Sequence, residues 1–421
     1  MSHNKQTFIK DIQYYKFCSY GFLKNLRFFE PFLFLFFLGK GLNFLQIGVL
    51  YSIREIITNI SEIPTGIIAD TIGRRKSMIS AFISYIISFI IFYFSANYLI
   101  LIVAILFFSF GEAFRTGTHK AMILEYLNIK NWQNQKVYYY GHTRSYSQIG
   151  SALSAIIAAI IVFISDNYNS IFLFSIIPYF LDLILMISYP KELDGKININ
   201  NKSIKSVFKL TILEFIKSFK DISIIKAISN QAVFSGFFKT IKDYLQPILK
   251  TFALSLPLLM YIDNKQRTSI IIGIVYFIIY ILTSISARNS GRITALFKKI
   301  HKPINITLIL GLITALLIGI FINFNMLISS IILFLLLFLI ENIRKPMGVA
   351  YVSDIINQNI LATILSAQSQ VKTLIAAICA PILGLLADKF GIGIGLIIIS
   401  SLLLIISPLI IIKENKLKNT L

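Results

Sequence analysis

The sequence predicts an all-α membrane protein with twelve membrane-spanning helices, and three observations support this fold class. Hydrophobic residues make up 56% of the 421-residue chain and charged residues only 14%, which is too apolar for a water-soluble domain. Apolar stretches recur at the length of about 20 residues that a helix needs to cross a bilayer. Most cations lie in alternate loops, as the positive-inside rule describes. The net charge of +21 therefore indicates membrane orientation and not a nucleic-acid partner.

Twelve apolar segments are long enough to cross the bilayer, with ends uncertain by about four residues. They lie at residues 20–38, 45–70, 77–94, 98–127, 138–163, 170–188, 225–252, 268–286, 303–321, 326–356, 360–385 and 391–412. Residues 1–19 lack the apolar core and cleavage site of a signal peptide, so the first span is expected to stay in the mature protein.

The loops that carry the cations all fall on one side of a twelve-span protein. Their basic residues are Lys5, Lys10, Lys16, Arg74, Arg75, Lys76, Lys130, Lys136, Arg288, Arg292, Lys298, Lys299, Lys302, Lys413, Lys416 and Lys418. This arrangement predicts a multi-pass protein of the cell's inner (plasma) membrane, with both termini in the cytoplasm.

A polar segment divides the spans into two groups of six. The predicted organisation is an N-terminal half at 1–188, a cytoplasmic linker at 189–224 and a C-terminal half at 225–421. Within the linker, residues 208–219 place apolar residues at helical spacing with lysines between them. This pattern suits either a helix on the inner membrane surface or a solvated connector.

The two halves show a weak internal repeat. Without gaps, Glu112 aligns with Glu341 and Arg115 with Arg344, so both pairs share one offset along the chain. The first and seventh spans match more loosely, RFFEP against DYLQP. A repeat of six helices is an architecture found in secondary transporters.

The segment GIIADTIGRRK lies between the second and third spans. It resembles the signature G-x-x-x-D-x-x-G-R-[RK]-[RK] of the major facilitator superfamily, with all six specified positions matched. These positions are Gly66, Asp70, Gly73, Arg74, Arg75 and Lys76. The resemblance implies two six-helix halves and a cytoplasmic latch that stabilises the outward-facing state without contacting solute. A related string, GLLADKFG at 384–391, is interpreted as a structural turn.

Ionisable residues inside the predicted spans are the candidate functional residues. Each costs at least about 2.5 kcal/mol at membrane depth, so such groups normally face a cavity or one another. The candidates are Arg27, Glu30, Glu112, Arg115, His119, Lys239, Asp243, Glu341 and Arg344. They lie on spans 1, 4, 7 and 10, which the family resemblance implies line the central cavity.

Two interpretations of these charges remain open. In the functional one, the cations bind an anionic or zwitterionic solute, and one of Glu30, Glu112, Asp243 and Glu341 carries a coupling proton. In the structural one, the acids and bases form ion pairs that fix helix packing. His119 is either a proton carrier or a hydrogen-bonding structural residue. Arg54 and Glu55, adjacent on a helix, are not expected to face the same cavity.

The function predicted from these observations is secondary active transport of a small organic solute by alternating access, coupled to protons. An anionic or zwitterionic solute is favoured. No catalytic constellation, cofactor motif or metal-ligand cluster is present in the sequence, so no enzyme is predicted. Partners are expected to be solute, H⁺ and membrane lipid, and the chain is expected to be a monomer. Two alternatives remain: a drug or metabolite efflux pump of the same family, and a non-transporting membrane sensor with the same fold.

Overall fold

The computed structural model describes residues 9–194, 222–257, 260–297, 299–355 and 358–412. Within these ranges the chain forms fifteen α-helices and three short 3-10 turns, without any β-strand. The all-α fold class predicted from the sequence is therefore confirmed. The possible surface helix at 208–219 and the C-terminal lysines lie outside the described residues.

Eight helices precede the predicted linker. They are α1 (Ile12–Lys24), α2 (Leu33–Gly39), α3 (Phe44–Ile72), α4 (Arg74–Phe94), α5 (Tyr98–Arg115), α6 (Thr118–Ile129), α7 (Lys136–Ser165) and α8 (Ser170–Ile187). Several of their ends fall within four residues of the predicted spans.

Seven helices follow the predicted linker. They are α9 (Ile222–Ile241), α10 (Leu245–Ser255), α11 (Asn264–Ala295), α12 (His301–Asn323), α13 (Leu327–Ile355), α14 (Gln358–Phe390) and α15 (Ile392–Ile410). The last two are separated by Gly391, whose φ of 86° is accessible to glycine but strained for other residues.

Nine segments of the described chain are long and apolar enough to cross a membrane. The remaining three predicted spans correspond to α1 with α2, to α3, and to α9 with α10. The first and third are interrupted, and α3 carries Arg54, Glu55 and Glu62 within its length. A count of twelve is compatible with these helices and stays a prediction.

Three predicted spans are broken near their candidate functional residues. The first is non-helical from 25 to 32, a stretch that includes Arg27 and Glu30. The fourth breaks at Gly117, which has a φ of 79°, and the seventh passes through a 3-10 turn at Lys242–Tyr244. Non-helical backbone at membrane depth is tolerated only when it is buried in protein or lines a cavity. The breaks therefore mark where a polar cavity can form.

Contacts group the chain into two compact units. The first comprises Met1–Leu33, Ile57–Ile204 and Asp263–Tyr280, and the second comprises Phe34–Ile56, Lys205–Ile262 and Ile281–Leu421. Each unit thus includes segments from both halves of the sequence. The predicted boundaries at 188 and 225 concern the sequence repeat, and they remain a prediction.

Each unit has its own core. In the first, aromatic rings from α4, α5 and α8 pack together, and Phe89 lies 4.9 Å from Tyr179 and 6.4 Å from Phe108 between ring centroids. In the second, a cluster of aliphatic side chains includes Ile228, Ile304 and Met347.

Candidate functional site

A polar cavity of about 360 Å³ lies within the first unit. Four cationic side chains line it, Lys24, Arg115, Lys120 and Arg144, and no carboxylate is found among its described lining residues. Ligand pockets for small molecules begin at about 300 Å³, so this cavity is large enough for a small solute. Its charge favours an anion.

The helix breaks bring these cations together. Lys24 is the last residue of α1, and Arg115 is the last residue of α5, directly before the turn at Gly117. Lys120 follows in the first turn of α6. Arg144 lies on α7 beside Thr143, which also lines the cavity. A continuous fourth span would not place Arg115 and Lys120 at a common turn in this way.

The remaining cavity wall is aromatic and polar. The Lys120 ammonium lies 5.7 Å from the ring centroid of Tyr140, and Tyr20 also lines the cavity. Asn25 and Gln148 add amide groups that can donate or accept hydrogen bonds. The wall can therefore bind the charged end of an anion and orient its polar substituents.

Glu112 joins two of the predicted arginines beside this cavity. Its carboxylate lies 3.1 Å from Arg27 and 2.5 Å from Arg115. The Nε of Arg115 also donates to the hydroxyl of Tyr85 at 3.1 Å. The three charged side chains are only about one-fifth exposed. Glu112 thus offsets part of the local positive charge and fixes the orientation of Arg115.

Arg27 and Glu30 lie in the non-helical stretch between α1 and α2, where the helical spacing of the two residues does not apply. The Arg27 guanidinium donates to the Glu112 carboxylate at 3.1 Å. Glu30 still interacts electrostatically with Arg27 and with Lys24.

His119 is buried and held by aromatic groups. Its ring stacks on Tyr20 with centroids 3.5 Å apart, and its Nε2 lies 3.2 Å from the hydroxyl of Tyr189. It lies on the cavity wall. These contacts accord with the structural interpretation, and the proton-carrier role stays a prediction.

A second charged cluster lies within the second unit. Glu55 accepts a hydrogen bond from Lys239 and lies 3.2 Å from Arg54. Glu55 is 4% exposed, whereas the Lys239 side chain is one-third exposed. The long arginine side chain folds back to contact its neighbour, and the expectation that the two residues do not face the same cavity stays a prediction.

Lys239 and Asp243 are four residues apart in the predicted seventh span, but α9 ends between them at Ile241. The 3-10 turn at Lys242–Tyr244 removes the i, i+4 geometry, and Asp243 lies 3.1 Å from Lys242 instead. Gln246, just beyond the turn, accepts a hydrogen bond from the backbone amide of Phe34 at 2.9 Å. These residues thus connect α9 and α10 with α2 and α3.

Arg344 is fully buried, and side chains and a carbonyl group of neighbouring helices surround its guanidinium. Its guanidinium donates to Asn230 Oδ1 and Thr307 Oγ1, both at 2.9 Å, and to the carbonyl of Ile304. It also lies over the ring of Phe234. These contacts hold α9, α12 and α13 together.

Glu341 lies on the same helix as Arg344 but bonds elsewhere. It accepts hydrogen bonds from the hydroxyl of Ser235, the shorter at 2.9 Å, and lies 3.5 Å from Lys345. The aligned pairs Glu112–Arg115 and Glu341–Arg344 are therefore not equivalent in their contacts.

The GIIADTIGRRK segment forms the end of α3 and the start of α4. Asp70 is 68% exposed at its side chain and lies 3.9 Å from Arg74, which also lies 3.4 Å from Glu125. A different acid, Asp194, lies against the N-terminus of α4. Its carboxylate accepts a hydrogen bond from the Arg75 amide at 2.7 Å. Arg74 is thus a cation close to Asp70.

Arg75 and Gly73 complete this junction. The Arg75 guanidinium donates to the carbonyl of Tyr189 at 3.1 Å. Gly73 has a φ of 110°, and a Cβ there would lie 2.9 Å from the Asp194 carboxyl carbon. A glycine is needed at this position for both reasons. The latch role of the six motif residues stays a prediction.

The interpretation of GLLADKFG as a simple turn needs correction. Its first seven residues are helical, within α14. The Asp388 carboxylate accepts hydrogen bonds from the backbone amides of Phe44 and Leu45 at 2.9 and 2.8 Å. Asp388 therefore caps the N-terminus of α3.

Sequence reasoning missed three residues of the first unit. Lys24 and Arg144 line the cavity, and Asp182 of α8 is fully buried. Each is an ionisable residue inside or beside a predicted apolar span. That signal was available for all three, but their proximity depends on the packing of α1, α7 and α8.

Two further cavities are apolar. They measure about 510 and 600 Å³ and are lined by residues such as Ile160 and Ile164 of α7. Such walls suit lipid acyl chains and offer nothing to a charged solute.

Comparisons with known proteins agree with this architecture. The family model described as Major Facilitator Superfamily matches residues 17–378. A curated relative, the uncharacterized MFS-type transporter YxaM of Bacillus subtilis (strain 168), is 31% identical over 104 residues. That alignment spans 24% of this chain and 26% of the relative.

Solved transporter structures share the fold at low sequence identity. The crystal structure of the nucleoside transporter NupG superposes with a TM-score of 0.76 at 12% identity, covering 96% of this chain and 100% of that one. A POT family transporter in complex with 5-aminolevulinic acid gives 0.70 at 15% identity, covering 94% of each chain. At these identities the likeness shows the fold alone.

Proposed function

This chain belongs to the Major Facilitator Superfamily of membrane transporters, and from that premise we propose that it carries a small organic anion across the membrane. The proposal is for secondary active transport by alternating access, coupled to protons. The family is one of transporters and not of enzymes. The observation that carries the substrate class is the cavity with four cations and no carboxylate on its described wall.

The charge of the cavity separates the candidate solutes. An anion would gain charge-assisted hydrogen bonds from Arg115 and Arg144, which are stronger than neutral ones. A lipophilic cation would face Lys24 and Lys120 without a carboxylate beside it. A zwitterion is less favoured as a solute than an anion. Its positive group would need an acid nearby, and both oxygens of the nearby acid, Glu112, already contact arginines. The geometry thus favours anion transport over efflux of cationic drugs.

The orientation of the chain is part of the proposal. With both termini in the cytoplasm, α3 begins at the outer surface, under Asp388, and ends at the cytoplasmic surface near Asp70. The outer contact is formed, whereas Asp70 is largely exposed. This supports a state in which α3 and α14 are joined at their outer ends.

The test is ligand-induced thermal stabilisation of the purified protein. A ligand that binds the folded state stabilises it by RT ln(1 + [L]/Kd), so weak ligands register at high concentration. The panel would contain mono- and dicarboxylates, phosphate esters, amino acids and lipophilic cations. We expect anions to raise the melting temperature, and Arg144→Gln and Lys120→Gln to reduce that shift.

Matched controls make the result specific. Lys191→Gln removes an exposed cation outside the cavity and is expected to leave the anion shift unchanged. Stabilisation only by lipophilic cations would overturn the anion proposal in favour of drug efflux. Anion binding without flux in reconstituted vesicles would instead indicate a sensor that retains the fold.

A further inference from the structure

We propose that Asp182 carries the coupling proton, and that it is linked to anion binding through Lys24. This inference rests on the proposed function and assigns its coupling residue. Asp182 lies in the second half of α8 and is completely buried. Both of its carboxylate oxygens lack a hydrogen-bond partner among the described residues. An acid in that position calls for an explanation, since buried polar groups are normally bonded.

Three of the four carboxylates that the sequence indicated are already engaged. Glu112 contacts two arginines, Glu341 bonds to Ser235, and Asp243 pairs with Lys242. Among the described residues, neither carboxylate oxygen of Asp182 has a hydrogen-bond partner.

The surroundings of Asp182 connect it to the cavity. The two cations that act on it electrostatically are Lys24 of α1 and Arg115 of α5, and both line the cavity. The remaining titratable neighbours are Tyr20 of α1, Tyr179 of α8, Tyr189 just beyond α8, and Tyr85 of α4, whose ring packs against Tyr179.

The physical link is competition for the same cation. An ionised Asp182 attracts the Lys24 ammonium group. The carboxylate therefore competes with a bound anion for that positive charge. When Asp182 takes a proton on Oδ1 or Oδ2, the acid becomes neutral, which a dry site tolerates far better than a bare carboxylate. Lys24 is then available to the anion. Proton and anion therefore bind together, and neither binds as well alone.

The sign of the pH dependence follows. The affinity for the anion is expected to rise as the pH falls. When one anion binds, the protein is expected to take up a fraction of a proton, up to one. By linkage, the change in log Kd per pH unit equals the number of protons taken up. Asp182→Asn imitates the neutral acid with nearly the same shape, so it is expected to bind the anion with little pH dependence.

The experiment measures proton uptake when the purified protein binds an anion from the panel. The protein is placed in weakly buffered detergent solution with a pH-indicating dye, and the anion that stabilises it most is added at matched pH. The wild type is expected to make the solution more alkaline. Asp182→Asn is expected to bind the same anion, seen as thermal stabilisation, without the pH change.

Two further variants keep the result decisive. Asp166→Asn removes a half-exposed acid that lies 3.5 Å from Lys265 and outside the cavity wall, and it is expected to keep full proton uptake. Lys24→Gln is expected to weaken anion binding and to abolish the uptake per anion bound, which tests the link even if the Asp182 variant does not fold.

The outcomes separate this inference from the proposed function. Unchanged proton uptake in Asp182→Asn or in Lys24→Gln would overturn the assignment of Asp182 while leaving anion binding intact. An absence of anion binding in the wild type would instead overturn the proposed function.

Discussion

Asp388, near the end of α14, caps the N-terminus of α3 by accepting a hydrogen bond from the backbone amide of Leu45 at 2.8 Å. The same carboxylate accepts from the Phe44 amide at 2.9 Å. The first amides of a helix have no partner within it, and their partial positive charge favours an anion. The contact therefore stabilises the state in which α3 and α14 are joined at this end.

The first prediction concerns this cap. Asp388→Ala is expected to destabilise the protein by about 1 kcal/mol, the usual cost of losing a helix cap. The measurement is the melting temperature of the purified protein. Lys389→Ala changes the neighbouring exposed residue and should have little effect. Equal melting temperatures for wild type and Asp388→Ala would show that the cap contributes nothing.

The second prediction compares two glycines of the motif. Gly73→Ala is expected to cost roughly 1–3 kcal/mol, because alanine is strained at a φ of 110° and its Cβ would meet the Asp194 carboxyl group. Gly66 lies within α3, and a Cβ there would meet nothing within 4 Å. Gly66→Ala is therefore expected to leave the melting temperature unchanged or higher. The reverse order of the two variants would contradict this structure of the junction.

The third prediction concerns Glu112, whose loss leaves Arg27 and Arg115 without their shared acid. Breaking a buried ion pair costs roughly 3–5 kcal/mol, and partial exposure places Glu112→Gln at or below the lower end. The readout is thermal unfolding.

Glu125→Gln is the matched control for the third prediction, since it removes a more exposed acid that lies 3.4 Å from Arg74. Glu112 contacts two arginines, whereas Glu125 contacts Arg74 at a longer distance, so the loss of Glu125 is expected to cost less. If Glu125→Gln proved as harmful as Glu112→Gln, the special position of Glu112 would be refuted.

The fourth prediction separates packing from solute binding at Arg344. Arg344→Lys is expected to lower stability strongly, because an ammonium group cannot reproduce the planar fork that reaches Asn230 and Thr307 together. Its anion-induced stabilisation, measured on the fraction that folds, is expected to match the wild type. Lys345→Gln, at a more exposed neighbour, is expected to leave both quantities unchanged.

A loss of anion binding in Arg344→Lys at unchanged stability would restore the solute-binding role predicted for Arg344 from the sequence. Thermal unfolding therefore reports the packing role of Arg344, and the anion-induced rise in melting temperature reports a solute-binding role.

The fold class and the family follow from the amino-acid sequence without knowledge of the helix packing. Composition, span length and the matched motif from Gly66 to Lys76 depend on the chain alone, because the bilayer requires long apolar helices whatever their packing. The same reasoning located Arg115 and Glu112 as unusual charges, since an ionisable residue inside an apolar segment is costly anywhere in the membrane.

Which charges meet depends on how the helices pack. Lys239 and Asp243 lie four residues apart in the predicted seventh span, but the turn at Lys242–Tyr244 separates them, and Lys239 donates to Glu55 from a distant part of the chain. The cavity likewise depends on breaks in two spans and on the approach of α7. Ion pairs and cavities form between helices, and their geometry depends on how the helices pack, which spacing along one helix does not specify.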